Sequence, residues 1–358
     1  MRRTLPVRSI ALALAFTGTA FAATVTTVGP MNVSRAEAVS ALLPDGTVLI
    51  AGGVDQGPPD ATYPAEIYDP QTRAFHRIAS TQSPRLGSAA VTLPDGRVLI
   101  AGGLRTPAGT SEIYDPTTRQ FGSLVSMSGE RYRPVGVMLA DGRVLVAGGE
   151  RNASRIATAE IWIPSTGSWA TTGSMAKPRY QFAGVRLPDG TVLIAGGESG
   201  LSTPEIFNAG TGVWSSIASL QMSATAAVLL PNGKVLLLYL GNLILYDPST
   251  RTTTQSTQHL ETYTDEAVVL LPNGNVLIAG GVDSQTFEGS TEVLVYSPDS
   301  DTLTNIGSLS LGRWDATATV LSDGTILVAG GATRETTNST AADLVDLNAR
   351  RRSRAVRH

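Results

Sequence analysis

Arginine recurs at one register of this chain, and a carboxylate follows it at a second. The arginines are Arg35, Arg85, Arg131, Arg179 and Arg313, each ten residues before the Asp of a tight turn, and Met222 and Tyr263 hold that place in two further copies. The acids are Glu66, Glu112, Glu160, Glu205 and Asp343, with Glu292 slightly upstream of the register in one copy and Ile244 replacing the acid in another. A glycine doublet separates the two registers. A planar guanidinium can grip a carboxylate through paired hydrogen bonds, and bare glycine backbone leaves room to reach across. One copy loses all three elements together, carrying Met222, Tyr239-Leu240 and Ile244. Joint loss implies coupling in space. Two readings follow. Either each pair ties its own unit together and the acids are structural, or the arginines ring a channel mouth and bind an acidic ligand.

Other charged groups sit in the stretches after the doublets. They include Asp55, Arg105, Glu150, Arg151, Glu198 and Asp283, in segments that vary in length from copy to copy. Variable loops on a rigid scaffold commonly carry binding, so Glu150 and Glu198 join the five arginines as candidate ligand contacts. Carboxylate chemistry has a separate candidate in Glu261, Tyr263, Asp265 and Glu266, with Glu37 in the first copy. Metal chemistry has little to draw on. There is no cysteine, and the three histidines, His76, His259 and His358, are scattered without ligand spacing. The expectation is no metal and no cofactor. The doublets lack the Lys-Ser/Thr of a phosphate loop, and the Asp-Gly pairs lack the dense acids of a calcium loop.

What positions these residues is a phrase that appears seven times. Residues 43–53 read LPDGTVLIAGG, and the phrase returns at 93–103, 139–149, 187–197, 230–240, 271–281 and 321–331. Its turn glycines, from Gly46 to Gly324, lie 50, 46, 48, 43, 41 and 50 residues apart. A period in the forties with strand content is the mark of propeller blades. Within one unit, Ser34–Leu43 is a first apolar stretch and Pro44-Asp45-Gly46 a turn. Thr47–Ala51 is apolar at consecutive positions, so it is a strand covered on both faces. Ala65–Tyr68 and Phe75–Ala79 supply a third and a fourth strand. The third-strand phrase recurs as SEIYDPTTRQF, AEIWIPSTGSW and PEIFNAGTGVW.

A double glycine, a later Tyr-Asp-Pro and then an aromatic resembles the kelch family. The LPDG-x-VLIAGG form is most similar to the central propeller of galactose oxidase-type proteins. The resemblance covers about residues 24–348 and implies an all-β, seven-bladed β-propeller of four-stranded antiparallel blades. Kelch propellers include enzymes, scaffolds and ligand binders. The copper chemistry of galactose oxidase-type proteins uses histidines and a tyrosine linked to cysteine, and the missing cysteine argues against it here.

The last unit has three strands and no fourth. The segment from Thr24 to Met31 matches the outer-strand endings of other units, so residues 24–30 are expected to close blade 7 and remove its free edge. Residues 1–22 read as a signal peptide: Arg2, Arg3 and Arg8, an apolar run Ile10–Phe16, and Ala20-Phe21-Ala22. The domains are therefore 1–22 leader, 23–348 propeller and 349–358 basic tail. Eight of the 27 basic residues sit in the two ends, which hold no acid, so 19 basic face 30 acidic residues between them. An acidic propeller argues against nucleic acid, and no run is long enough to span a membrane. The reading is a secreted, monomeric binding module for a protein or surface glycan, more a binder than an enzyme. A carbohydrate-active enzyme using carboxylates and a structural cell-envelope protein stand as alternatives. Convergent acids of raised pKa in a central pocket would favour the enzyme.

Overall fold

The computed structural model describes residues 23–348 apart from 54–62, 105–108, 198–201, 219, 262 and 337. Residues 1–22, expected as a leader, residues 349–358, expected as a basic tail, and Asp55, Arg105 and Glu198 lie outside the described residues.

The repeated phrase builds the same corner seven times. In the first copy, Gly46 donates its N–H to the Leu43 carbonyl at 2.9 Å, and the Asp45 carboxylate accepts from the Thr47 N–H at 3.0 Å. Gly46 sits at φ 83°, a left-handed conformation that a side chain disfavours. The Asp or Asn repeats that bond in all seven turns, at Asp95, Asp141, Asp189, Asn232, Asn273 and Asp323. Each corner joins an innermost strand to a second strand whose four central residues are all buried, as in Val48–Ala51. A strand buried on both faces needs no alternation, which explains the continuous apolar run.

Seven antiparallel sheets result. Their innermost strands are Val39–Leu42, Ala89–Thr92, Val135–Met138, Phe182–Arg186, Ala226–Leu229, Ala267–Leu270 and Thr317–Val320, in blades 1 to 7. Blades 1 to 6 are four-strand meanders, although the outer strand of blade 2 is broken into Gln120–Phe121 and Val125–Ser126. In blades 1 to 4 the aromatic of the third strand packs, tilted, against the aromatic of the outer strand. Ring centroids are 4.9 Å apart for Tyr68–Phe75, 5.0 Å for Tyr114–Phe121, 5.4 Å for Trp162–Trp169 and 4.9 Å for Phe207–Trp214. Such cross-strand pairs fix register.

The core is divided into seven apolar clusters, one in each seam between neighbouring blades. The ring closes through the start of the chain. Thr24–Thr27 pairs antiparallel with Asp343–Asp346 of blade 7, with Val28 and Met31 bonded on to Ala342 and Thr340. Val25 packs in the seam between blades 6 and 7. The proline turns lie on one face of the ring. The glycine doublets, the described residues of the loops after them and the connections between blades lie on the other, called the mouth face here.

Candidate functional site

The five arginines precede their innermost strands by several residues, in the crossover from the blade before. Each has no solvent-exposed surface, and each faces its acid: Arg35–Glu66 at 3.5 Å, Arg85–Glu112 at 2.7 Å, Arg131–Glu160 at 3.0 Å, Arg179–Glu205 at 2.8 Å and Arg313–Asp343 at 2.9 Å. Their second contact explains the doublet. The Arg35, Arg85, Arg131 and Arg179 guanidiniums donate to the carbonyl of the first glycine, at Gly52, Gly102, Gly148 and Gly196, over 2.6–3.2 Å. A Cβ on Gly102 would lie 2.6 Å from the Arg131 carbonyl, so only glycine lets the next blade approach.

The acids do a second job. Each accepts the backbone N–H three residues before its arginine: Asn32, Gln82, Ser128, Ala176 and Ser310, at 2.7–3.2 Å. That N–H belongs to the chain arriving from the preceding blade. The second glycine extends the stitch forward, donating to the carbonyl of the next blade's arginine, as in Gly103 to Arg131 at 2.7 Å and Gly331 to Arg35 at 2.7 Å. The unit is therefore a clamp on the crossover. In blade 5, Met222 and Ile244 replace the pair, and Leu240-Gly241 closes a two-residue hairpin with both residues at positive φ. With no carbonyl to grip, no guanidinium is needed, which accounts for the joint loss. Burial pulls the Arg35 guanidinium down to about 10 despite Glu66 beside it, still charged at neutral pH. The five arginines thus have no exposed atom with which to meet a ligand, and Glu66, Glu112, Glu160, Glu205 and Asp343 are buried with them. Glu150 is half-buried in a short mouth-face hairpin, paired in register with Arg155.

The mouth of the channel is made two residues further on. There the chain turns through positive φ and carries Glu37, Gly87, Arg133, Gln181, Asp265 and Asp315 in blades 1, 2, 3, 4, 6 and 7. Backbone bonds join five of them in an arc: Asp315 N–H to Asp265, Glu37 to Asp315, Gly87 to Glu37 and Arg133 to Gly87, at 2.8–3.2 Å. Arg133 crosses the mouth. It donates to Glu37 at 2.6 Å, to Asp315 at 2.8 Å and to Asp265 at 3.3 Å. The Tyr132 hydroxyl donates to the same Glu37 oxygen at 2.8 Å, and its ring packs on Tyr180 with centroids 5.7 Å apart. Glu37, Gly87, Arg133, Asp265 and Asp315 line a cavity of about 290 Å³ together with Ser88, Gln181, Thr225 and Glu266.

Three carboxyls thus hold one guanidinium, and a fourth, Glu266, lines the same cavity. Burial, only partly opposed by Arg133 and reinforced by Asp265 and Glu37, pushes Asp315 up to about 7. Burial, with Asp265 adding to it, also lifts Glu266 to about 7. Burial lowers the Arg133 guanidinium, yet Asp315, Glu37 and Asp265 outweigh it and hold the group above its ordinary value. Both raised acids bind protons more tightly folded than unfolded. Their contribution to stability is therefore full in acid and is lost as pH rises from the ordinary carboxylate range through about 7. Chemically, the pocket offers acceptors, one spent cation, and carboxyls able to give or take a proton near neutral pH.

The sequence singles out Glu37, Asp265 and Glu266 for carboxylate chemistry, and the fold brings them to one cavity. Glu261 is exposed. Sequence reasoning misses Arg133, Asp315, Tyr132 and Tyr180. A signal is nonetheless present in the position two after the clamp arginine, which reads Glu, Gly, Arg, Gln, Ala, Asp, Asp from blade to blade. A constant register marks scaffold, and a varying neighbour on the axis marks the site.

No family model matches the chain, and no curated protein does. Among solved structures it is similar to a novel fungal alcohol oxidase of the AA5 family in complex with copper. Identity is 14%, the TM-score is 0.49, and the match covers 73% of each chain. At that identity the likeness concerns the fold alone. The donors present here do not suit a copper centre built on histidines and a cysteine-linked tyrosine. Cysteine is absent, and His76 and His259 lie on outer strands of blades 1 and 5. Among the described residues no three His, Cys, Asp or Glu side chains gather to hold a metal.

Proposed function

We propose that the protein is a secreted propeller of the kelch type that binds a hydroxyl-rich ligand, a surface glycan, in the mouth of its central channel. One observation carries this reading. Glu37, Asp265, Glu266 and Asp315 converge on a cavity whose lone guanidinium is already shared among three of them. Such a site is rich in acceptors and, among the described residues, has no free cation, so it suits a donor-rich neutral partner and repels anions. The leader-like residues 1–22 support export. The recurring doublets and aromatic pairs support kelch ancestry.

A second reading rests on the carboxyls near 7. Glu266 and Asp315 could serve as acid and base on the bound sugar, making the protein a carbohydrate-active enzyme. One panel addresses both. Disaccharides and hexasaccharides of the cellulose, chitin and starch series are titrated against wild type and Glu266→Gln, with product analysis on each mixture. Binding by wild type and a loss of about tenfold in the variant is expected, since a hydrogen bond to a charged group contributes roughly 1.5–3 kcal/mol. Higher melting of Glu266→Gln at mildly alkaline pH would accompany it, because a costly ionisation is removed. New products formed by wild type alone would establish the enzyme. An unchanged affinity in the variant would remove the mouth from the account.

A further inference from the structure

Among the described residues, the exposed large apolar side chains are Val213, Leu240, Phe287 and Leu311. Val213 follows a third-strand turn on the face opposite the mouth. The other three lie on the mouth face, in the sector of blades 5 to 7. Exposed apolar groups scattered singly need no explanation, but three in one sector of the mouth face do.

The sector is continuous with the cavity wall. Tyr263-Thr264, immediately before Asp265 and Glu266, pairs with Val282-Asp283 at the base of the blade 6 loop. That loop is built, not slack. Asp283 accepts the N–H groups of Gln285 at 2.7 Å and Thr286 at 2.9 Å through its carboxylate, and that of Phe287 at 2.9 Å through its carbonyl. Phe287 is held at φ 55° with 66% of its surface exposed. A bulky residue in the left-handed region is strained, and here it also leaves an aromatic ring in water. Two residues later Gly289 abuts Gly312, and Arg313 donates its N–H to Ser290 at 3.2 Å, which brings Leu311 beside the same loop. At ~3.3 Å per residue and ~5 Å between strands, Phe287 stands on the order of 15 Å from Asp265.

We infer that Phe287, with Leu311 on the crossover that abuts its loop, forms an outer subsite on which a ring of a glycan chain stacks while the chain's end occupies the acidic mouth, so that the ligand is an oligosaccharide and not a single sugar. This rests on the mouth being a glycan site. A pyranose presents an apolar C–H face to an aromatic ring and its hydroxyls to acceptors, which matches an apolar rim followed by a carboxylate-lined cavity. The span from Phe287 to Asp265 admits a chain of a few rings and leaves a disaccharide in the mouth untouched by the rim.

The test compares Phe287→Ala, Phe287→Trp and wild type by titration calorimetry with the disaccharides and hexasaccharides of the cellulose, chitin and starch series. The side chain is exposed and carries no core packing, so both variants are expected to fold. For the series that binds, Phe287→Ala weakens the hexasaccharide about tenfold, the scale of one aromatic contact, and leaves the disaccharide within about twofold. Phe287→Trp restores hexasaccharide affinity. Equal hexasaccharide affinity in wild type and Phe287→Ala overturns the outer subsite while the mouth reading stands, and leaves the apolar sector to a protein partner. Failure of wild type to bind any of the six saccharides overturns both.

Discussion

Removing residues 24–30 lowers the melting temperature by about 10 °C or more, on the scale of ~2–4 °C per kcal/mol for domains somewhat smaller than this one. The segment provides the outer strand of blade 7, with Thr24–Thr27 in register with Asp346–Asp343. Its loss uncovers the backbone edge of Ala342–Asp346 and empties Val25 and Val28 from two seams. It also removes the Thr27 hydroxyl from Asp343, the acid that clamps Arg313. A propeller is a ring of seams, so weakening the closing blade loosens both of its neighbours. The exposed edge is in addition a template for pairing with other chains, so the truncated protein should aggregate on heating. Differential scanning calorimetry checks the result. An unchanged melt would mean the ring closes without this strand.

The second large effect is at the clamp. Arg131→Met costs about 3–5 kcal/mol, the usual penalty for leaving one partner of a buried ion pair unpaired. Arg131 is the informative choice because its guanidinium is fully employed. It holds Glu160 at 3.0 Å, the Gly148 carbonyl at 3.2 Å, and Thr158 through its carbonyl at 2.7 Å and hydroxyl at 3.0 Å. Without it, Glu160 keeps only the Ser128 N–H and hydroxyl. The chain contains its own control, since blade 5 folds with Met222 and Ile244 in these places. Arg131→Met with Glu160→Ile should therefore cost less than the sum of the two single changes. Recovery stays incomplete, because the Gly148 carbonyl loses its guanidinium where blade 5 has closed its hairpin. Chemical unfolding of the four proteins gives the coupling, and strict additivity would contradict the clamp.

The scaffold is legible in the sequence because its parts make narrow demands on residue type. A left-handed corner asks for Gly46, a doubly covered strand asks for the unbroken Val48–Ala51 run, and a crossover passing over the backbone asks for Gly52-Gly53. Those demands recur from copy to copy, so comparison of the copies exposes them, including the joint loss in blade 5. The mouth resists the same comparison. Arg133 and Asp315 are 182 residues apart and share only a register whose residue type changes from blade to blade, so repetition marks the position without announcing the pairing. The clamp arginines draw attention for their regularity, and burial then places that regularity inside the blades. The break in the outer strand of blade 2 around Gly122 likewise leaves no mark that a composition or period could reveal.

A ligand that enters at the proposed carboxylate-lined mouth shields the backbone there, and hydrogen exchange, read by mass spectrometry with and without a saccharide that binds, detects that shielding. Slowed exchange in peptides spanning 131–135, 263–267 and 313–317, with the proline-turn peptides unchanged, is the expected footprint. Protection confined to the proline-turn face or to the outer strands, with those three segments unaffected, would contradict it.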